Sequence, residues 1–129
     1  MRIVLKGRPI TKKNSQRIVQ AAGRIRIIPS RNYLEYLDAC RWQINILHLG
    51  EMRINSPINL QCVYYMPTRH RVDLVNMLEA TCDILVDCGV LADDNCNIVA
   101  AHDGSRVDYD KNNPRVEITI SAADREVQK

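Results

Sequence analysis

The chain has 129 residues, 46% hydrophobic and 26% charged, which is one domain's length with enough apolar residues to bury a core and none of the long runs that span a membrane. Its net charge of +3 hides an asymmetry: nine of the eighteen Lys and Arg, and none of the fifteen acids, precede Glu35, so residues 1–34 carry +9 and the rest −6. With five Tyr, one Trp and no Phe, a platform of stacked bases is disfavoured, whereas the basic lobe suits a phosphate backbone, its plainer reading being a solvated face of strands.

Residues 2–6 read as a strand, followed by Gly7, Pro9 and a polar basic loop over residues 11–16. Residues 17–20 and 24–28 flank Ala21, Ala22 and Gly23 as a short arginine-rich hairpin. Ser30 can cap a helix that begins near Arg31, where Leu37, Cys40, Ile44 and Leu47 recur at helical spacing and Gly50 ends it. After Pro57, residues 58–65 predict a mostly buried strand. A second helix is expected from about Asp73 to Gly89. Leu74, Met77, Leu78, Cys82 and Leu85 form its apolar stripe, and Asp73, Asn76, Asp83 and Asp87 the opposite one. Residues 97–102 and 115–120 read as strands, joined by a polar connection over 103–113. The expected fold is α+β: a single domain over residues 1–129, with a mixed β-sheet and two helices packed on one face.

Cys40, Cys62, Cys82, Cys88 and Cys96 include no Cys-x-x-Cys pair and no His at zinc-ligand spacing. They read as buried thiols in a reducing cytoplasm. The apolar run at residues 1–5 is too short for a signal peptide, so a soluble cytoplasmic protein is expected.

Charge reverses sign abruptly along residues 69–94. Arg69, His70 and Arg71 are followed by Asp73, Glu79, Asp83, Asp87, Asp93 and Asp94, with no Lys or Arg until Arg106. Carboxylates that no lysine neutralises repel one another unless a cation or water relieves them. A metal site beside a phosphate-binding surface is the functional reading. Singly, each feature has an ordinary explanation: Asp73 as a helix N-cap, and Asp93 with Asp94 as turn residues. Together, Arg-His-Arg-x-Asp-x-x-Asn leading into a helix, then Gly-Val-Leu-x-Asp-Asp, can bring Asp73 and Asp94 side by side at one edge of that helix.

The stretch Met66-Pro67-Thr68-Arg69-His70-Arg71-Val72-Asp73-Leu74-Val75-Asn76, with Cys82-Asp83-Ile84-Leu85, Gly89-Val90-Leu91 and Asp93-Asp94, resembles RusA-type Holliday-junction resolvases. These are bacterial endonucleases encoded by phages and prophages. Gly7-Arg8-Pro9 and Lys12-Lys13-Asn14-Ser15 resemble the family's opening loop. The resemblance runs along most of the chain, without gaps from Met66 to Asp94. It implies a Mg²⁺-dependent endonuclease that resolves four-way junctions in recombination and repair, acting as a homodimer on branched DNA with no organic cofactor. Asp73 matches the first metal-binding aspartate and Asp94 the last, while Asp83 matches the helix aspartate. Lys13, Asn14 and Ser15, with Arg69, His70, Arg71 and Asn76, match DNA-contacting positions. Arg17 belongs to the basic lobe, which is expected to hold the junction's arms.

The family pattern is Asp-x-Asp-Asn with a lysine four residues past the second Asp. Here those two positions are Val75 and Glu79. Valine cannot bind Mg²⁺, and Glu79 reverses the lysine's charge. The positions are one helical turn apart and helical side chains lean toward the N-terminus. Glu79 is therefore expected to reach back and supply the missing carboxylate as a catalytic residue beside Asp73 and Asp94. The rival is a catalytically impaired member that binds branched DNA without cleaving it. A further alternative is a small basic protein that binds RNA or a partner, its acids merely solvated. His70 has two readings, phosphate contact or general acid on the one hand and exposed loop histidine on the other.

Overall fold

The structure is a computed structural model that describes residues 1–11 and 16–123. Its elements are β1 (Arg2–Lys6), β2 (Gln16–Ala21), β3 (Arg24–Pro29), α1 (Arg31–Ile46), β4 (Ile58–Met66), α2 (Leu74–Asp87), β5 (Val99–Ala101), β6 (Arg106–Tyr109) and β7 (Arg115–Ala122). The expected DNA contacts at Lys13, Asn14 and Ser15 lie outside the described residues. Arg17 stands on β2 opposite Ile28, its side chain likewise outside the description.

β2 and β3 form the expected hairpin, with Ala22 (φ 54) and Gly23 (φ 75) both left-handed at its turn. Such a turn matches the natural twist of paired strands. The main sheet runs β1-β7-β4, and the far edge of β4 is shared, β5 along its start and β6 along its end. β7 is antiparallel to both β1 and β4, whereas β5 and β6 are parallel to β4. The sheet is therefore mixed and the fold α+β, as expected.

Alternation along the strands sends one sheet face into the core. Ile3, Leu5, Leu60, Cys62, Tyr64, Val116, Ile118 and Ile120 are buried there, with Cys62 and Ile3 both opposite Ile118. They join one cluster with Cys40 and Ile44 of α1 and Met77, Ile84 and Leu85 of α2. Each large aliphatic side chain buried this way stabilises by about 2 kcal/mol. The Tyr64 hydroxyl ties β4 to α2, donating to the Met77 carbonyl at 2.9 Å and pairing with Thr81 Oγ1 at 2.6 Å. The other sheet face is polar. There Glu117 joins Arg2 and Arg115, each at 2.7 Å, and the Arg115 guanidinium lies 3.9 Å from the Tyr65 ring centre.

Three sequence expectations need correction. The first helix stops at Ile46 rather than near Gly50: Leu47 caps it, and His48 takes the left-handed turn (φ 56) usually left to glycine. That turn returns Leu49 to the core, and Leu47 is left 50% exposed. Second, the polar connection over 103–113 contains a strand, β6, all of whose residues are exposed. An edge strand with no buried residue carries no hydrophobic alternation to read. Third, the thiols are not all buried, because Cys88 is half-buried and Cys96 exposed. Burial pushes the Cys62 thiol up to about 12 and the Cys40 thiol up to about 11, so both stay protonated.

Candidate active site

The end of β4 delivers the chain into a basic turn, residues 67–72, that leads directly to α2. Asp110 donates its backbone N–H to the Met66 carbonyl at 2.8 Å, anchoring β6 beside the point where the turn departs. Asp73 then caps α2 with extended backbone (φ −97, ψ 113). Its Oδ1 accepts from the backbone N–H of Val75 at 2.9 Å and of Asn76 at 3.3 Å. Both bonds fall on one oxygen. Among the described residues no donor reaches Oδ2, and the side chain is exposed. The capping role and the ligand role therefore use different atoms of one carboxylate.

Asp94 is brought back toward α2 by a reversal at the helix end. Cys88 caps α2 and Gly89 turns left-handed (φ 83). Val90 and Leu91 then both donate to the Leu85 carbonyl, and Ala92 donates to the Ile54 carbonyl. Residues 90–94 thereby run back along the helix. The Cys82 thiol is pushed up to about 12, first by burial, then by Cys62 and by the carboxylates of Asp94, Asp83 and Glu79. Asp94 and Glu79 are thus both among the charges that act on Cys82 of α2, the helix that Asp73 caps. Glu79 lies six positions after Asp73, about 9 Å along a helix axis.

The neighbouring acids divide into roles. Asp93 is used by its own turn: Oδ1 accepts from the Asp94 N–H at 2.7 Å and Oδ2 from the Asn95 amide at 3.1 Å. Those bonds, the Asp94 one first, hold its carboxyl below the usual range. Asp87 pairs with Arg41 of α1 at 2.6 Å, and after burial Asp83 is the largest influence raising Tyr33 of α1. The expected stripe of Asp73, Asn76, Asp83 and Asp87 is thus divided, with Asp87 paired to the neighbouring helix. Among the described residues, no three His, Cys, Asp or Glu side chains are grouped closely enough to hold a metal ion.

Val75 is 70% exposed on the first turn of α2, and Glu79 is exposed one turn further along. Arg69, His70 and Arg71 are all exposed on the basic turn. The Arg69 guanidinium lies over the Tyr109 ring, 4.4 Å from its centre. Both line a recess of about 240 Å³ together with Thr68, His70, Val107 and Asp108. Sequence reasoning missed Tyr109; its only signal was an aromatic residue inside a polar connection. His102 is structural, with Nδ1 2.9 Å from the Leu60 carbonyl oxygen.

A family model described as endodeoxyribonuclease RusA matches residues 6–121, nearly the whole chain. The chain belongs to the RusA family. The comparison with curated proteins gave no match. RusA endonucleases act on Holliday junctions and depend on a divalent metal, which agrees with a basic turn that ends at an exposed aspartate. The donor set suits a hard cation: Asp73 and Asp94 offer carboxylate oxygens, whereas the Cys82 thiol is buried in the core. A pair of carboxylates is enough for Mg²⁺, which keeps several waters and takes further oxygens from a substrate phosphate. No helix among the described residues is long and apolar enough to cross a membrane.

Proposed function

We propose that this RusA protein is a Mg²⁺-dependent endonuclease that resolves Holliday junctions by phosphodiester hydrolysis during recombination and repair in the cytoplasm. The observation that carries the reading is Asp73, with one oxygen fixed by two backbone donors and the other open at the end of an arginine-rich turn. Asp73 and Asp94 would hold the ion. When bound, it supplies positive charge for the phosphate oxygens and acidity for the attacking water. The water oxygen bonds to phosphorus, one P–O ester bond breaks, and a proton passes to the departing alkoxide.

The protein's own residues orient that reaction. Helix-held Oδ1 restricts rotation of the Asp73 carboxylate, so its second oxygen keeps one direction. Arg69 and Arg71 hold phosphates beside the scissile bond through paired guanidinium N–H groups. The Tyr109 ring steadies Arg69. His70 and Asn76 add contacts to the same backbone, and Lys13, Asn14, Ser15 and Arg17 hold a flanking arm. A four-way junction has approximate two-fold symmetry and needs two matched nicks, which a C₂ homodimer with two sites provides.

A second reading, favoured by exposed Val75, is a member that binds junctions but cuts them poorly. Cleavage of a labelled mobile junction, with and without Mg²⁺, separates the two. The enzyme reading expects nicking in Mg²⁺ that Glu79→Ala lowers about tenfold, the effect of losing one charged contact of roughly 1.4 kcal/mol. The binding-only reading expects no nicking by the natural protein and strong nicking once Val75→Asp and Glu79→Lys are combined. Equal cutting by the natural protein and Glu79→Ala removes Glu79 from the catalytic set.

A further inference from the structure

Some cations of the molecule are matched by acids and others are not. Arg2, Arg31, Arg41, Arg106 and Arg115 each have a carboxylate partner. Among the described residues Arg24, Arg26 and Arg53 have none, and neither do Arg8, Arg69 and Arg71, which gather around the basic turn. Arg69 lies against Tyr109, on the β6 side of the basic turn. On another side, a second recess of about 350 Å³ is lined by Arg8, Asn32, His70 and Arg71 above the buried Met66 and Met77. No acid lines it.

Three separate elements build its walls. β1 ends where Gln43 of α1 brackets Lys6, accepting its N–H at 2.8 Å and donating to its carbonyl at 3.0 Å. Gly7 then turns with φ 118 while its N–H donates to the Pro114 carbonyl, which starts the segment carrying Arg8. Asn32 sits in the first turn of α1, a sixteen-residue helix with no acid in that turn. Arg71 and His70 come from the turn before Asp73. Two guanidinium groups, an imidazole and a carboxamide from distant parts of the chain line a hollow with no acid among its described lining residues.

We propose that this recess is a subsite for a non-scissile phosphate of the DNA backbone, held by Arg8, Asn32 and Arg71. The inference rests on the nuclease reading and extends it, because it gives the substrate a second anchor on the α1 side of the site. Arg8, Asn32, His70 and Arg71 give the hollow cationic and polar groups for a phosphodiester, beside apolar Pro9, Ile10 and Val72. Its floor is sealed by methionine side chains, which strengthens charge-assisted bonds by excluding water on one side.

The test is equilibrium binding of a fluorescent four-way junction, and of a duplex of equal length, in EDTA at salt concentrations from about 50 to about 200 mM. Arg8→Gln is expected to weaken binding about tenfold and to make the salt slope less steep by about one. Arg8→Lys should keep the slope. Asn32→Asp should weaken binding at least as much while leaving the melting temperature unchanged or higher, since an acid is favourable in a helix's first turn. Arg53→Gln, at the opposite end of α2, is the control and should behave as the natural protein does. An unaltered slope in Arg8→Gln, or unaltered affinity in Asn32→Asp, overturns the subsite while leaving the nuclease reading standing. Binding of neither DNA by the natural protein overturns both.

Discussion

Asp73→Asn is expected to lower Mg²⁺-dependent junction cleavage by about a thousandfold or more while leaving the melting temperature within about 2 °C of the natural protein. The reason lies in how the carboxylate is divided. Its Oδ1 caps α2 by accepting from Val75 and Asn76, and asparagine keeps a side-chain oxygen that caps a helix as well as aspartate does. What asparagine loses is the negative charge on the second oxygen. A metal that supplies several kcal/mol of transition-state stabilisation leaves with it, and each step of about 1.4 kcal/mol is about a factor of ten in rate. Asp73→Ala removes both functions and should also destabilise by about 1 kcal/mol. Parallel melting curves and single-turnover cleavage measure the two parts separately. Retained cutting by Asp73→Asn would place the chemistry elsewhere.

Gly89→Ala is expected to destabilise the fold by about 3 kcal/mol and lower its melting temperature by about 10 °C. Residue 89 is left-handed (φ 83), and a Cβ there would lie 2.1 Å from the Gly50 carbonyl oxygen. The clash is with backbone, so no side chain can swing aside. Relief requires moving either the 47–50 turn or the 90–94 segment, and the latter carries Asp94. Cleavage measured well below the melting transition should therefore also fall in this variant. Gly50→Ala is the milder comparison, because its Cβ would stand 3.0 Å from the Cys88 carbonyl oxygen and Gly50 has no left-handed φ. Thermal melting of both variants checks the order; a Gly89→Ala protein as stable as the natural one would mean that the two turns do not press together.

These two expectations draw on different parts of the molecule. The first concerns a residue whose local setting is legible from its immediate neighbours, because aspartate preceding an apolar helical stripe is a cap by sequence alone. The second depends on two glycines thirty-nine positions apart in the chain. Nothing in local composition pairs Gly50 with Gly89. Gly50 reads as a helix terminator, whereas its real constraint is the close passage of the Cys88–Gly89 backbone.

Periodicity and turn chemistry act between near neighbours, so the residue order alone already settled the strands at β1, β4 and β7, the arginine hairpin, both helix starts and the basic turn running into Asp73. Folding in three dimensions decided what each exposed charge does. It paired Asp87 with α1, assigned Asp93 to its own turn, and reversed the chain after α2 in the segment that leads to Asp94. It also laid an exposed strand along β4 to place Tyr109 against Arg69, and gathered Arg8, Asn32 and Arg71 around one hollow. The physical cause is that solvent-facing positions bear no burial pattern. Their partners are chosen by distance across the fold, which a linear sequence does not encode one residue at a time.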